Sequence, residues 1–93
     1  MTDDDKQGIR DRLVDASGDE DLLFADGYDE AIIGYAQRCG QPALVVYDRQ
    51  ACIEVLVAQG LTDDDAHEYF DFNVVGGWHG ERTPLFLVRL GDD

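Results

Sequence analysis

Basic side chains are scarce in this 93-residue sequence, which has seven lysines and arginines against 21 aspartates and glutamates. The formal net charge at pH 7 is −14. Surfaces that bind DNA, phosphate groups or anionic lipid carry a positive footprint, so the charge argues against all three partners. An acidic surface attracts basic proteins instead. The same charge also serves solubility or reflects an acidic proteome, and the composition leaves these explanations open.

Closely spaced cysteines, a secretory signal and long apolar runs are also missing. Cys39 and Cys52 form no CxxC motif, and the N-terminus lacks the basic and apolar regions of a signal peptide. No apolar run approaches the ~18 to 20 residues that a membrane span needs. We therefore expect a cytoplasmic protein that does not enter a membrane and whose thiols are reduced.

The residue patterns of enzymes and metal sites are sparse. Ser17 is the only serine, and it lies outside any GxSxG motif. A Cys-His pair could be assembled from Cys39 or Cys52 with His79, but no spacing selects it. These residues and His67 are not spaced like known zinc ligands. The sequence therefore predicts no catalytic residue, no metal site and no cofactor.

A chain of this length forms one domain with one modest core. With 44% hydrophobic residues, we predict a single domain over residues 1–93, with frayed acidic tails at 1–5 and 91–93. Ile9 and Leu13, four residues apart, favour a first helix over 6–16.

The segment from Leu22 to Gly40 is predicted to form a short strand over 22–25 and a helix over 28–39. Asp26 is a suitable N-cap for this helix, and Gly40 a suitable stop. Phosphate loops use the free N–H groups of such a helix start. Here the Asp26 carboxylate would occupy them, and no glycine-rich phosphate motif is present, so the sequence predicts capping rather than phosphate binding.

The second half of the chain carries clearer signals. Adjacent valines predict a strand over 43–47, and a helix over 49–59 follows between Asp48 as N-cap and Gly60 as stop. Thr62 is the expected N-cap of a third helix.

The third helix starts at Asp63 and is predicted to stop at Asn73. A brief strand at 74–75 and a stronger one at 85–90 follow. The order predicts an α/β fold, with α+β as the alternative: a mixed sheet of about three strands with three to four helices packed on it. The strand order is left open.

Carboxylates recur along one side of the third helix. Asp64, Glu68 and Asp71 have i, i+4, i+7 spacing, and Asp63 lies on the same side. Neighbours on such a face are ~5–6 Å apart, comparable with the ~6–7 Å between phosphates along a DNA strand. This face could imitate nucleic acid to a basic groove; the alternative is an ordinary solvated helix face.

The segment GGWHGERTP, from Gly76 to Pro84, offers a large aromatic and an arginine, residue types that anchor many interfaces. Trp78 and Arg82 are the candidate anchors. The alternatives are a hairpin turn whose tryptophan seals the core, and a ligand pocket near Trp78, His79 and Tyr28.

Five stretches, FADGYDEAIIG, VVYD, CIEVL, FNVVGGW and GERTPLF, resemble a family of small acidic proteins of unknown activity that bacteriophages and prophages encode. The resemblance runs from about Leu22 to Phe86. It implies a phage origin and a location in the bacterial host cytoplasm. Small acidic phage proteins often act by occupying a host factor, as anti-CRISPR proteins do.

The combined prediction is an interaction protein, not an enzyme, that binds a basic, nucleic-acid-binding surface of a host defence complex such as a CRISPR effector. It would bind neither nucleic acid nor membrane directly, and its oligomeric state is not predicted. A small ligand-binding or enzymatic domain and a phage assembly or regulatory factor are the alternatives. The predicted partner-binding residues are Asp63, Asp64, Glu68, Asp71, Trp78 and Arg82.

Overall fold

The computed structural model of the chain describes residues 2–77 and 80–90, with side chains from Gly8 onward. It confirms the α/β fold, with helices packed on a three-stranded mixed sheet in the order β1-β2-β3. The predicted tail at 91–93 lies outside the described residues. The elements are α1 (Thr2–Ser17), a 3₁₀ turn (Asp29–Ala31), β1 (Ile32–Ala36), β2 (Leu44–Asp48), α2 (Arg49–Ala58), α3 (Asp63–Phe70), a π-helix (Asp71–Val75) and β3 (Leu85–Leu87).

Helix α1 begins at Thr2, so residues 2–5, predicted as a frayed tail, belong to the helix. Its inward side is marked by Leu13, which is buried in the core. The helix ends at Gly18, whose N–H donates to the Val14 carbonyl at 2.8 Å and whose φ is +72°. A positive φ is accessible to glycine without steric cost, which suits it to this stop.

The second half of the chain follows its local signals. The Asp48 side chain accepts a hydrogen bond from the Gln50 N–H and caps α2, and Thr62 accepts from the Asp65 N–H and caps α3. Strands β2 and β3 pair in parallel through the crossover formed by these helices, a pairing that the sequence left open. Strand β3 is shorter than the predicted strand at 85–90.

The prediction for residues 22–39 is wrong. Residues 22–25 pair with no strand, and the segment predicted as a helix forms the 3₁₀ turn and β1, which pairs antiparallel with β2. The hairpin closes through a turn in which the Gln41 N–H donates to the Arg38 carbonyl, with Gly40 at φ +75°. Gly40 therefore lies in the turn between β1 and β2 and does not end a helix.

Asp26 does not cap a helix, since no helix starts there. Its side chain is 96% exposed and lies 3.4 Å from the Arg10 guanidinium. The free N–H groups of a helix start, which a phosphate loop would use, are therefore not assembled at this position. Asp26 has no such groups to cap.

The predicted strand at 74–75 is wrong as well, because the chain continues from α3 into the π-helix. Asn73 is not a left-handed stop, since every positive φ in the described residues belongs to glycine. The Gly76 N–H donates to the Asp71 carbonyl at 3.0 Å. A Cβ on Gly76 would lie 3.1 Å from the carbonyl oxygens of Asp71 and Phe72, so glycine lets this wide turn close.

The core lies between the sheet and the helices. Its largest fully buried side chains are Tyr47, Phe70, Ile53, Val45 and Cys52. The Phe70 ring meets the edges or faces of Tyr28 and Phe86 at centroid distances of 5.9 and 5.1 Å. The Tyr47 hydroxyl accepts a hydrogen bond from the Ala25 N–H at 2.7 Å, which attaches the irregular 22–25 segment to β2. This core fixes α3 with one side inward and the other in solvent.

Candidate partner-binding surface

Helix α3 presents a continuous acidic surface because only Ala66 and Phe70 of its residues are buried. These two lie four residues apart and share one side of the helix. The remaining side is exposed. We call its four carboxylates the acidic face: Asp63, Asp64, Asp65 and Glu68.

The acidic face is poorly neutralised. Its one ion pair within the described residues joins Asp63 to His67, whose Nδ1 lies 3.7 Å from a carboxylate oxygen and which is charged only when protonated. Within residues 8–77 and 80–90, no ion pair reaches Asp64, Asp65 or Glu68. The positive end of the helix dipole stabilises the first-turn aspartates. Asp64 and Asp65 therefore lie side by side without a cationic partner among the described residues.

Asp71 was predicted to belong to the same row of carboxylates as Asp64 and Glu68, but it has a basic partner. It begins the π-helix instead of belonging to α3, and the Arg49 guanidinium lies 2.7 Å from its carboxylate. The same guanidinium sits over the Phe70 ring at 5.3 Å. Asp71 therefore contributes to holding α2 against the end of α3, and its charge is largely compensated.

Arg82, predicted as an anchor, is also engaged within the chain. Its guanidinium forms an ion pair with Asp19 in the turn after α1. This hydrogen bond raises the pKa of Arg82 and lowers the pKa of Asp19. Arg82 thus connects the loop before β3 to the turn after α1. The other predicted anchor, Trp78, lies outside the described residues, as does His79.

Two exposed aromatics next to the acidic face were missed as anchors by the sequence reasoning. Tyr69 is 47% exposed, and Phe72 is 79% exposed. The signal was available: Phe70 and Phe72 are two residues apart, so a helix that buries one turns the other away. Aromatics beside charges are common anchors of protein interfaces.

A groove of about 500 Å³ lies between the 23–28 segment, the end of α2, the π-helix and the start of β3. This volume is in the range of small-molecule sites. Tyr28, predicted to border a pocket, lines the groove, and burial raises its pKa so that its hydroxyl is neutral. The described lining contains one carboxylate, that of Asp26, and no basic side chain.

The thiols and metal-capable residues form no site in the described part of the chain. Cys39 is exposed, whereas Cys52 is fully buried and burial raises its pKa to about 12, so that its thiol is neutral and inaccessible. The described residues include no group of three histidine, cysteine or acidic side chains placed to hold a metal ion. The described helices are too short or too polar to cross a bilayer.

Comparison with known proteins finds no match among family models, curated proteins or solved structures. The resemblance to a phage-encoded family therefore stays a prediction, and the function is inferred from the surface itself.

Proposed function

We propose that this chain is an interaction protein that uses the acidic face to occupy a basic, nucleic-acid-binding surface of another protein. The observation that carries the proposal is the set of exposed carboxylates on α3, Asp64, Asp65 and Glu68, without an ion-pair partner among the described residues. Carboxylates left without counterions on a rigid helix produce a local negative potential that attracts and orients a basic partner.

The neighbouring aromatics favour a protein as the partner. Tyr69 and Phe72 add apolar contact area beside the carboxylates. Arginine side chains, which are abundant on nucleic-acid-binding surfaces, pair with carboxylates and also stack on aromatic rings. The combination therefore fits an arginine-rich groove better than carboxylates alone would.

The resemblance to phage proteins supports a more specific partner. A phage-encoded protein of this kind would act in the bacterial cytoplasm on a host defence complex, and a CRISPR effector is the first candidate. Binding would block access of nucleic acid to the effector, and the inhibition would require no catalysis.

The test is competition between this protein and DNA for a purified type I CRISPR effector. We expect the double variant Asp64→Lys/Glu68→Lys to bind at least about tenfold more weakly than the wild type, because close charge pairs across an interface contribute on the order of 1.5 kcal/mol or more. The matched control is Asp11→Lys/Asp15→Lys, which changes the net charge equally at exposed i, i+4 positions of α1.

Salt provides a second measurement. Raising ionic strength from about 50 to about 500 mM should weaken binding, since it screens the attraction. Equal loss of binding in both double variants would mean that only the net charge matters. Absence of DNA competition at about 50 mM salt would refute the proposed inhibition of the effector.

The groove supports a second candidate function, the binding of a small neutral or cationic ligand. Its lining offers Asp26, Tyr28 and Gln59 as polar groups and no cation to hold an anion. A thermal-shift screen with nucleosides, amines and metal ions tests this candidate. A stabilising amine or metal ion whose effect is lost in Asp26→Asn would support it, and Asp11→Asn at an exposed position of α1 serves as the control for the charge change.

A further inference from the structure

The side of the sheet that faces away from the core has an apolar surface of its own. Val45 and Tyr47 are fully buried, so the alternating residues of β2 point to the opposite side. The register extends this side across the sheet, because directly paired residues share a face. We call this set the outer face: Ala36 paired with Leu44, Val46 paired with Leu85, and Leu87 beside Asp48.

The described helices pack on the other side of the sheet and leave the outer face uncovered. The Tyr35 hydroxyl, from a residue paired with buried Val45, donates to the Ala16 carbonyl of α1 at 3.1 Å. On the outer face, Leu85 and Leu87 are each 45% exposed. Apolar side chains that recur on one sheet face without a covering layer usually mark an interface.

The charges around the outer face are balanced, unlike those of the chain as a whole. A depression of about 350 Å³ on this face is lined by Ala36, Leu44 and Leu85 together with one base, Arg38, and one acid, Glu81. At the other end of the face, Asp48 and Arg89 form an ion pair at 3.3 Å. Two acids and two bases thus border the described part of this face, in a chain whose net charge is −14.

Charge balance decides between possible occupants. A basic partner gains little from a surface without surplus negative charge, and the acidic face on α3 offers far more. A second copy is repelled by most of this protein's surface and least by the outer face. Opposite charges within one depression are also self-complementary, since a two-fold axis places equivalent patches against each other.

We propose that the outer faces of two copies pack against each other in a symmetric homodimer. The leucines and valine would interdigitate between two sheets stacked about 10 Å apart, and Arg38 and Glu81 would meet their opposites in the second copy. Three short strands make a small interface, so we expect dissociation constants of roughly 10–100 µM, as for transient contacts.

Salt separates this dimer from the proposed function. Two copies that each carry a charge of −14 repel one another over the rest of their surfaces, and screening reduces this repulsion. The dimer should therefore tighten as salt rises, whereas binding of a basic partner should weaken. Either proposal can fail without the other.

Sedimentation velocity of the full chain, from about 10 to about 500 µM and in about 50 and about 500 mM NaCl, tests the dimer. We expect dimerisation that strengthens with concentration and with salt, and that is at least about tenfold weaker in Leu85→Lys, even though the lysine reduces the charge repulsion. The control is Val57→Lys on α2, where the wild-type residue is 42% exposed. Urea unfolding of both variants checks that they fold.

A charge swap tests the two-fold arrangement. Arg38→Glu and Glu81→Arg should each weaken the dimer, and the variant carrying both changes should recover most of the loss. A chain that stays monomeric at about 500 µM in high salt overturns the proposal. So does a dimer that Leu85→Lys leaves intact, or an outer face covered only by a different protein.

Discussion

The junction between α1 and the 3₁₀ turn and the acidic face of α3 use carboxylates in opposite ways. At the junction, Asp29 is 14% exposed and accepts two hydrogen bonds from Arg10, both 2.7 Å long. On α3, Asp64, Asp65 and Glu68 are exposed and without a cation among the described residues. The arginine with an aspartate partner thus joins two elements, whereas these carboxylates of α3 stay uncompensated among the described residues.

The other arginine contacts follow the same rule. Each pairs with an aspartate on another element and so holds two parts of the fold together. The pairs are Arg49 with Asp71, Arg82 with Asp19 and Arg89 with Asp48. A count of charges along the sequence contains no information on which carboxylates are used in this way.

The largest effect should come from removing a paired carboxylate. Asp29→Ala should lower the free energy of unfolding by about 2 kcal/mol, because it removes both 2.7 Å hydrogen bonds of the partly buried Arg10 guanidinium and leaves only the 3.4 Å contact to Asp26. Asp64→Ala should change it by no more than about 0.5 kcal/mol. Urea denaturation measures both, and equal losses would contradict the division into paired and free carboxylates.

A smaller loss is expected at the start of the acidic face. Thr62→Ala should cost about 1 kcal/mol, since it removes the side-chain acceptor that caps α3 through the Asp65 N–H at 3.2 Å. Thr62→Ser keeps an acceptor and should stay close to the wild type. If both variants unfold at the same urea concentration, the cap does not stabilise α3.

A still smaller effect on stability is expected when acid protonates Asp19, the partner of Arg82. Hydrogen bonds from Arg82 and from the Asp21 N–H hold the pKa of Asp19 below its ordinary value of 3.8. Because the folded pKa is the lower one, this pairing stabilises the fold above about pH 4, and the contribution disappears as pH falls through the lowered pKa. Arg82→Gln should therefore flatten the fall in stability between about pH 4 and about pH 2. An unchanged pH profile would show that the pair does not stabilise the fold.

The smallest effect concerns the free carboxylates. Raising NaCl from about 50 to about 500 mM should stabilise the wild type by a few tenths of a kcal/mol, since it screens repulsion among like charges. Asp64→Lys/Glu68→Lys removes part of that repulsion and should gain less. If salt stabilises this variant more than the wild type, the dominant repulsion does not come from α3. The salt response of Asp11→Lys/Asp15→Lys would then show whether it comes from α1.

Strand β2 and helices α2 and α3 were predictable because each carries its own local signals. Asp48 and Thr62 act as caps, and adjacent valines mark β2, so neighbouring residues suffice. The π-helix escaped prediction because it depends on the backbone closing at Gly76, which resembles an ordinary break in a sequence pattern.

Strand β1 was missed because its sequence supports two structures. The spacing of Ala31, Ile32 and Tyr35 fits one face of a helix, while β-branched isoleucines also favour a strand. Pairing with β2 decides between them, and that partner lies beyond the range of local patterns. For the candidate surface, the exposed carboxylates on α3 were predictable from helical spacing. The ion pairs of Asp71 with Arg49 and of Arg82 with Asp19 were not, because folding brings these partners together from distant parts of the sequence.

The π-helix gives the chain one place where its length can change by a residue. Each residue of an α-helix turns the chain by about 100°, and a π turn holds one residue more than an α turn. Deleting a single residue between Asp71 and Val75 would restore ordinary helical spacing within the same turn, so the loop that follows would start in nearly the same direction. A one-residue deletion inside α2, by contrast, would rotate the chain after it by about 100°. Among related chains, we therefore expect one-residue gaps here more readily than inside α2.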